Sequence, residues 1–495
     1  MTVKRAIFRC DASATTGAGH VMRCFALAEL LADYGWQCGF ASHPESWVLF
    51  PAFDERVSGR FSLSDSDSNE PADLIAMWPD GCDLLVIDHH HLDEAFGRAL
   101  RPWAARIAVI DDLAEQPRHC DMLLNTSPAF SAADYRALVP ASCGLLLGAR
   151  FALLSQRFAE HRAASLRRRD PDKPLERILV SMGGSDPRNL TKRVLSGIAR
   201  AGIDCQVDVL LGAPSPFTEE VQETARAMNS ITTHASTERV AEMMARADIA
   251  IGAAGNSAWE RCCLGLPSII VKTAENQAFV AKTLADTGAA LVLGSHETVT
   301  DEAIADAIET LASDNAGRKR MSDNAAGLCD GRGIERVCLA LGDQGTTKEG
   351  QPLGLRLAEP EDSMLLYQWQ CDRRTRRFAR QPKAPSRREH ERWLENVLSD
   401  PDRLLTIVIH DDEPSAVLRF DSMMDRAHRE VSIHVAPDKY GRGIANGALR
   451  LARENFPAWV LHAEVLPDNE RSHALFQSSG YNRVSERRYV SAPGA

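Results

Sequence analysis

The chain has 495 residues, 44% hydrophobic and 25% charged, with a formal net charge of −11. That length exceeds one hydrophobic core and suits about three compact units of roughly 150 residues, and the composition is that of a globular protein, excluding a disordered chain. The acidic balance excludes non-specific nucleic-acid binding, which needs clustered Lys and Arg, and no apolar run reaches the ~20 residues that span a bilayer.

The opening stretch MTVKRAIFRCD reads as a strand, not a secretory signal, so a cytoplasmic protein is expected. Short apolar runs follow, each trailed by an amphipathic stretch: Ala6 to Phe8, Leu84 to Ile87, Ile107 to Ile110, Ile178 to Val180, Val207 to Leu211, Ile249 to Ile251 and Ser268 to Val271. This alternation predicts parallel sheets covered by helices. An Arg-rich helical segment, Leu154 to Arg169, with Pro171 and Pro174 after it, divides the region into two α/β lobes, 1–155 and 156–341, with a cleft between them. Residues 342–353 are polar and rich in glycine and read as a linker. Beyond it, 354–495 has α+β order: strand Leu355 to Leu357, helix Arg388 to Leu398, then strands Leu404 to Ile409, Ala416 to Phe420 and Val431 to Val435. Twelve cysteines, among them the adjacent Cys262 and Cys263, show neither a disulfide framework nor zinc-type C-x-x-C pairs, so reduced and mostly buried thiols are expected.

The first candidate site is the run Arg9 to His20, ending Gly17-Ala18-Gly19-His20, before a helix from Val21 to Tyr34. Glycines let backbone N–H groups approach an anion, and the helix start adds partial positive charge. A dinucleotide fingerprint would need a third glycine and a P-loop a Lys-Ser/Thr, and both are missing. His20 at the helix start can take a proton from water, or it can simply cap the turn. The run Asp88-His89-His90-His91 closes an apolar strand. It reads as a strand-end loop facing a substrate in preference to a metal site, because no Glu-x-x-His or Cys cluster accompanies it.

The second lobe carries two more strand-end turns. Ser181-Met182-Gly183-Gly184-Ser185-Asp186 is one; Gly252 to Ser257, with Gly255-Asn256-Ser257 leading into a helix that carries Glu260, is the other. A carboxylate just inside such a helix can accept ribose hydroxyls while the turn holds a diphosphate, and Glu275-Asn276-Gln277 follows the next strand. Close packing alone is the alternative use of such glycines.

Together, Arg9 to Arg23, Asp88 to Asp93, Asp111-Asp112, Gly183 to Asp186 and Gly252 to Gln277 resemble the UDP-sugar hydrolase of pseudaminic acid biosynthesis, over residues 1 to 340. The resemblance implies a glycosyltransferase-B-like, two-lobed fold. It also implies His20 as general base without a metal, and UDP held by Glu260, Asn276 and Gln277. Gly17, Gly19, Arg23, Asp88, His90, Gly184, Gly255, Asn256 and Ser257 complete the expected substrate-binding set. One departure stands out: His90 occupies the position where that family commonly has Tyr.

In the last region a strand ending at Val435 runs into Tyr440-Gly441-Arg442-Gly443-Ile444-Ala445 and a long helix, followed by strand Val460 to Val465 and by Asn469, Ser472, Phe476 and Gly480-Tyr481. These two motifs resemble the GCN5-related N-acetyltransferase family. The resemblance implies splayed strands that admit acetyl-CoA, a pyrophosphate turn at Arg442, Gly443, Ile444 and Ala445, and Asn469 and Val435 beside the cofactor. Tyr440 replaces the usual Arg or Gln at the start of the turn. Phe476 stands where many members place the acidic Tyr, so Tyr481 is the substitute acid, with core packing as its alternative use. Glu430 or His434 is expected as the base, acting through water. The run Arg373, Arg374, Arg376, Arg377 either meets the UDP diphosphate or forms a solvated helix face.

The expected function is therefore bifunctional. The C-terminal part acetylates the 4-amino group of UDP-4-amino-4,6-dideoxy-N-acetyl-β-L-altrosamine with acetyl-CoA. The N-terminal part hydrolyses the UDP-2,4-diacetamido-2,4,6-trideoxy-β-L-altropyranose so formed. A UDP-sugar glycosyltransferase, a 2-epimerase or a non-catalytic UDP-sugar-binding module in the N-terminal part are the alternatives.

Overall fold

The computed structural model of the chain describes residues 3–13, 17–49, 59–63, 69–169, 173–184, 186–212, 215–228, 230–235, 237, 239–423 and 425–491. The motif residues Ala14, Thr15, Thr16 and Ser185, and Pro171 of the expected connector, lie outside them. Two compact units are present: Arg5–Glu29 with Gln37–Ile334, and Met1–Lys4 with Leu30–Trp36 and Glu335–Ala495.

The larger unit holds two parallel sheets. The first comprises β1 (Arg5–Cys10), β2 (Gln37–Ser42), β3 (Arg60–Ser62), β4 (Cys82–Asp88), β5 (Ala104–Ile110), β6 (Met122–Asn125) and β7 (Gly144–Leu147), in the order β3-β2-β1-β4-β5-β6-β7. Between β1 and β4 the chain reverses its direction of winding, and in open α/β sheets the carboxyl ends at that point form the ligand crevice. Helix α1 (Gly19–Asp33) follows β1. It buries Val21, Cys24, Leu27, Ala28 and Leu31, a helical spacing that turns one stripe onto the sheet. The turn into it needs Gly17, whose φ of +74° suits a residue without Cβ.

The second sheet comprises β8 (Arg177–Ser181), β9 (Gln206–Leu211), β10 (Ile231–Ala235), β11 (Ile249–Ala253), β12 (Ser268–Lys272) and β13 (Leu291–Ser295), in the order β10-β9-β8-β11-β12-β13, with its own reversal between β8 and β11. Its central strands β8, β11 and β12 are buried on both faces. Ile178, Val180, Ile249, Ile251, Ile269 and Val271 enter one core, whereas Leu179, Ala250 and Ile270 enter the other. This explains the unbroken apolar runs in the sequence, each large side chain contributing about 1.5–3 kcal/mol on burial. Helix α2 (Ser257–Cys263) follows β11. The expected connector is a helix over Gln156–Arg168.

The smaller unit is built on an eight-stranded sheet: β14 (Gly345–Thr346), β15 (Pro352–Leu357), β16 (Arg403–His410), β17 (Glu413–Ser422), β18 (His428–Val435), β19 (Val460–Glu464), β20 (Asn482–Arg483) and β21 (Arg488–Ser491), in the order β14-β15-β16-β17-β18-β19-β21-β20. The stretch expected as a free linker is instead a hairpin. β14 pairs antiparallel with β15, and Thr347 is buried and closes the turn by accepting from the Gln351 backbone N–H. Composition misleads here because a hairpin turn and a linker draw on the same glycines and polar residues. Within this unit Tyr34 packs edge-on against Phe456 and Trp459, with ring centroids 4.7 and 5.3 Å apart. All pairs of the sheet are antiparallel except β18 with β19. Helices α3 (Ile444–Asn455) and α4 (Glu470–Ser478) lie between β18 and β20 in the chain. All twelve cysteines are free, and ten are buried. Among the described residues no helix is long and apolar enough to cross a membrane.

Candidate active sites

At the β1/β4 reversal, His20 comes from the first turn of α1 and Asp88 is the last residue of β4, paired in register with Cys10 of β1. His20 Nδ1 lies 2.7 Å from Asp88 Oδ1. A carboxylate only accepts, so Nδ1–H donates to Asp88, and Nε2 is the ring nitrogen that this bond leaves free. Arg23 sits one helical turn after His20 on the same face. It donates to both Asp88 oxygens at 2.7 and 2.6 Å and to both Asp112 oxygens at 2.9 Å. Burial alone would raise the Asp88 carboxyl, but the charge of Arg23 and the contact with His20 outweigh it and hold Asp88 far below the usual carboxylate range. Asp112 is lowered against its burial by the same guanidinium.

This geometry bears on two of the expected substrate-binding residues. Arg23 and Asp88 were expected to bind substrate, yet Asp88 is 1% exposed and the Arg23 fork is engaged by two carboxylates. Both orient His20. The histidine run divides its labour: His89 Nε2 lies 3.4 Å from Asp11, whereas His90 stands edge-on to His20 with ring centroids 4.9 Å apart. Burial, and next the neighbouring His20, lower the His90 imidazole's affinity for a proton.

The nucleotide-type turns lie at the other reversal. A Cβ on Gly184 would stand 3.8 Å from the Ala18 backbone nitrogen, so the turn after β8 adjoins the loop before His20. A Cβ on Gly255 would stand 3.8 Å from Gln277 Nε2, and Gln277 Oε1 fixes the end of β12 by accepting from the Thr273 N–H at 2.9 Å. Asn276 beside it is exposed, while Asn256 and Ser257, partly buried, open α2. Glu260 in that helix is partly buried, its carboxylate takes no hydrogen bond from any described residue, and burial pushes its pKa up to about 7 against the pull of Arg261. Sequence reasoning missed Arg261. Its guanidinium is buried behind the turn, donates to the Ala253 carbonyl at 2.5 Å and Ser257 Oγ at 3.2 Å, and is lowered by burial to about 10. A buried cation this poorly compensated favours an anion at the turn. The absence of a side chain at Gly252 makes room for it, since a Cβ there would meet Arg261 Nη1 at 2.8 Å.

In the smaller unit β18 and β19 pair only through His428↔Val460, Arg429↔Leu461 and Glu430↔His462, although β18 continues to Val435 and β19 to Glu464. The strands part there, leaving unpaired backbone groups facing a wedge. The turn after β18 has Gly441 at φ +85° and Gly443 at +74°, so successive N–H groups from Arg442 and Gly443 run into those of Ile444 and Ala445, the first residues of the twelve-residue α3. Val435 is buried at the wedge, and Asn469 caps α4, accepting from the Ser472 N–H at 3.2 Å.

Tyr481, expected as the substitute acid, lies in the core. It is 3% exposed, its hydroxyl has no hydrogen-bond partner, burial raises its pKa, and it packs edge-on against Phe476. A proton donor must reach the thiolate, and Tyr481 is packed in the core. Glu430 accepts from Arg380, which also donates to Glu464 at 2.9 Å. His434 is pushed down to about 4 by burial and then by Arg419 and Arg376, which makes it a weak base. The pair Glu430 and Glu464 escaped the sequence reading, because only the parting of two strands brings residues 34 apart in sequence to one guanidinium. Of the Arg run, Arg374 pairs with Asp372 and stacks over Tyr440 at 5.2 Å.

Comparison with known proteins agrees with this division. Residues 178–337 match the family model "Glycosyltransferase family 28 C-terminal domain", and 353–482 match "Acetyltransferase (GNAT) domain". The chain is 27% identical over 285 residues to the UDP-2,4-diacetamido-2,4,6-trideoxy-beta-L-altropyranose hydrolase of Campylobacter jejuni, covering 57% of this chain and 97% of that protein. It is 35% identical over 173 residues to the spore coat polysaccharide biosynthesis protein SpsG of Bacillus subtilis, covering 34% of this chain and about half, 51%, of that relative. The solved structure of MurG from Acinetobacter baumannii aligns with 68% of the chain and 98% of its own at 18% identity, TM-score 0.48. The chain thus joins an N-terminal part similar to a UDP-sugar hydrolase, with a glycosyltransferase family 28 C-terminal domain inside it, to a C-terminal GNAT acetyltransferase domain.

Proposed function

We propose that the chain catalyses two consecutive steps on a UDP-linked amino sugar: N-acetylation of the 4-amino group of a UDP-4-amino-altrose sugar with acetyl-CoA, then hydrolysis of the diacetamido product to free sugar and UDP. The observation that carries the hydrolytic step is the His20–Asp88 pair beside the Gly184 turn. His20 Nε2 takes a proton from water as the oxygen attacks the anomeric carbon. The bond from that carbon to the diphosphate oxygen breaks and its electron pair leaves with UDP. Asp88 stabilises the imidazolium formed, and Arg23 keeps Asp88 ionised. Glu260 accepts the ribose hydroxyls, while Arg261 and the glycine turns offset the diphosphate charge.

In the GNAT domain the residues fit acetyl-CoA: the parted strands offer backbone groups to the pantetheine arm, and the Gly441 to Ala445 turn offers N–H groups to the pyrophosphate. Bound there, acetyl-CoA supplies the activated acyl group. Glu430 and Glu464 draw the substrate ammonium to the wedge, and Glu430 receives its proton through water. Acetyl-CoA and the UDP-linked amino sugar are the partners this reading requires.

Incubation with acetyl-CoA and the UDP-linked 4-amino sugar, followed by mass, tests it. Wild type is expected to release CoA and then UDP, and His20→Ala to stop at the acetylated UDP-sugar, slowed by about 10²–10⁴-fold in the second step. Acetylation without UDP release in wild type overturns the hydrolase reading.

A further inference from the structure

The structure assigns a divalent-cation site to His20, His90 and Asp112, and we propose that an ion of the zinc class bound there withdraws His20 from catalysis. The inhibitory half of this proposal rests on the hydrolase reading above; the binding half does not. Each residue of the trio offers one ligand atom, and these atoms all lie within 4.8 Å of one another. Ligands around tetrahedral zinc stand roughly 3.4 Å apart, given bond lengths of about 2.0–2.1 Å, so the trio has to draw in by about an ångström to close on an ion.

Three further features suit a metal. His20 already donates Nδ1–H to Asp88, the arrangement in which a carboxylate fixes the tautomer and orients Nε2 toward an ion. His90 Nε2 is buried with no hydrogen-bond partner, so coordination satisfies an atom that is otherwise desolvated without return. The local charge also fits. Asp88 and Asp112 face one guanidinium, Arg23, which leaves one negative charge for the ion to offset when both imidazoles are neutral. Two imidazoles and one carboxylate with open positions select zinc, cobalt or nickel over magnesium or calcium, which prefer oxygen ligands. The sequence carries no metal motif, because no Glu-x-x-His or Cys cluster accompanies the histidine run, and the three residues come from α1, the loop after β4 and the loop after β5. No ligand spacing in the sequence records that convergence.

The consequence is a competition for one lone pair. Nε2 of His20 either accepts a proton from water or coordinates the ion. The role of base at this site therefore passes in and out with metal occupancy.

The test uses the full chain freed of metal with a chelator. Cobalt(II) is titrated while visible absorption is followed, and zinc affinity is measured by competition with a chromogenic chelator. One equivalent of cobalt is expected to give a d–d spectrum without the near-ultraviolet thiolate charge-transfer band, which separates this site from the cysteines. His90→Gln and Asp112→Asn are each expected to weaken zinc by at least about 10-fold. Asp112→Asn removes a partner of Arg23 and can unfold the protein, so His90→Gln, whose Nε2 has no partner to lose, carries the comparison, with its fold checked by circular dichroism. Zinc at one equivalent is expected to abolish UDP release, and EDTA to restore it. Absence of a one-equivalent site, a thiolate spectrum, or equal zinc affinity in His90→Gln overturns the site. Undiminished UDP release with the site filled overturns the coupling. The spectra need no turnover, so failure of the hydrolase reading remains distinguishable from failure of the metal site.

Discussion

With Glu260 holding the ribose as proposed, its carboxyl is expected to make the affinity for UDP-sugars depend on pH. Burial pushes its pKa to about 7 from an ordinary 4.5, because the ionised form is desolvated there and takes no hydrogen bond. Two ribose hydroxyls are donors, so the ligand prefers the carboxylate. With a pKa of about 7, the ionised share is about one part in eleven at pH 6 and ten in eleven at pH 8, so a ligand that needs the carboxylate binds roughly tenfold tighter at pH 8. In the free protein the sign runs the other way. A raised carboxyl stabilises the fold below the unfolded value of 4.5, and that contribution is lost as pH rises toward 7. The assay is isothermal titration with a UDP-hexose that the enzyme leaves intact, chosen because its phosphates are both esterified and lack the second phosphate ionisation near 6. Wild type should release protons on binding at pH 6, seen by comparing buffers of different ionisation enthalpy. Glu260→Gln should bind with flat affinity across the range. A wild-type affinity that does not move with pH, or a pH dependence that survives in Glu260→Gln, refutes the reasoning.

Two further outcomes follow from the geometry. Asp88→Asn removes the carboxylate that fixes the His20 tautomer, so kcat for UDP release should fall by about 10²-fold or more while KM changes little; an equal rise in KM would make Asp88 a substrate ligand after all. Arg380→Ala frees Glu430 and Glu464 from the guanidinium that bridges them, so KM for the amino sugar in acetylation should fall several-fold, on the order of 1 kcal/mol of released competition, with KM for acetyl-CoA unchanged. A rise in KM for the amino sugar would instead place Arg380 on the substrate, and the paired glutamates would lose their assigned role.

By itself the sequence determined the elements and the turns. The apolar runs at 84–87, 107–110, 178–180 and 249–251 became strands because each is buried on both faces of a parallel sheet, and that burial leaves a local signature. The glycine turns at Gly17 and Gly443 were legible because a chain that must take positive φ before a helix selects glycine locally. What only the tertiary structure decided are relations across distance. It joined Arg23 and His20 to Asp88, placed Tyr481 in the core, made a hairpin of the stretch from Gly345 on, and set Arg261 behind the turn after β11. It also gathered His20, His90 and Asp112 from three separate segments. Local propensity follows from backbone sterics and burial period, which neighbours in sequence share. A catalytic or metal-binding cluster depends on which strand ends stand side by side, and strand order is fixed by packing free energy summed over the whole sheet, a quantity that no short stretch of sequence carries.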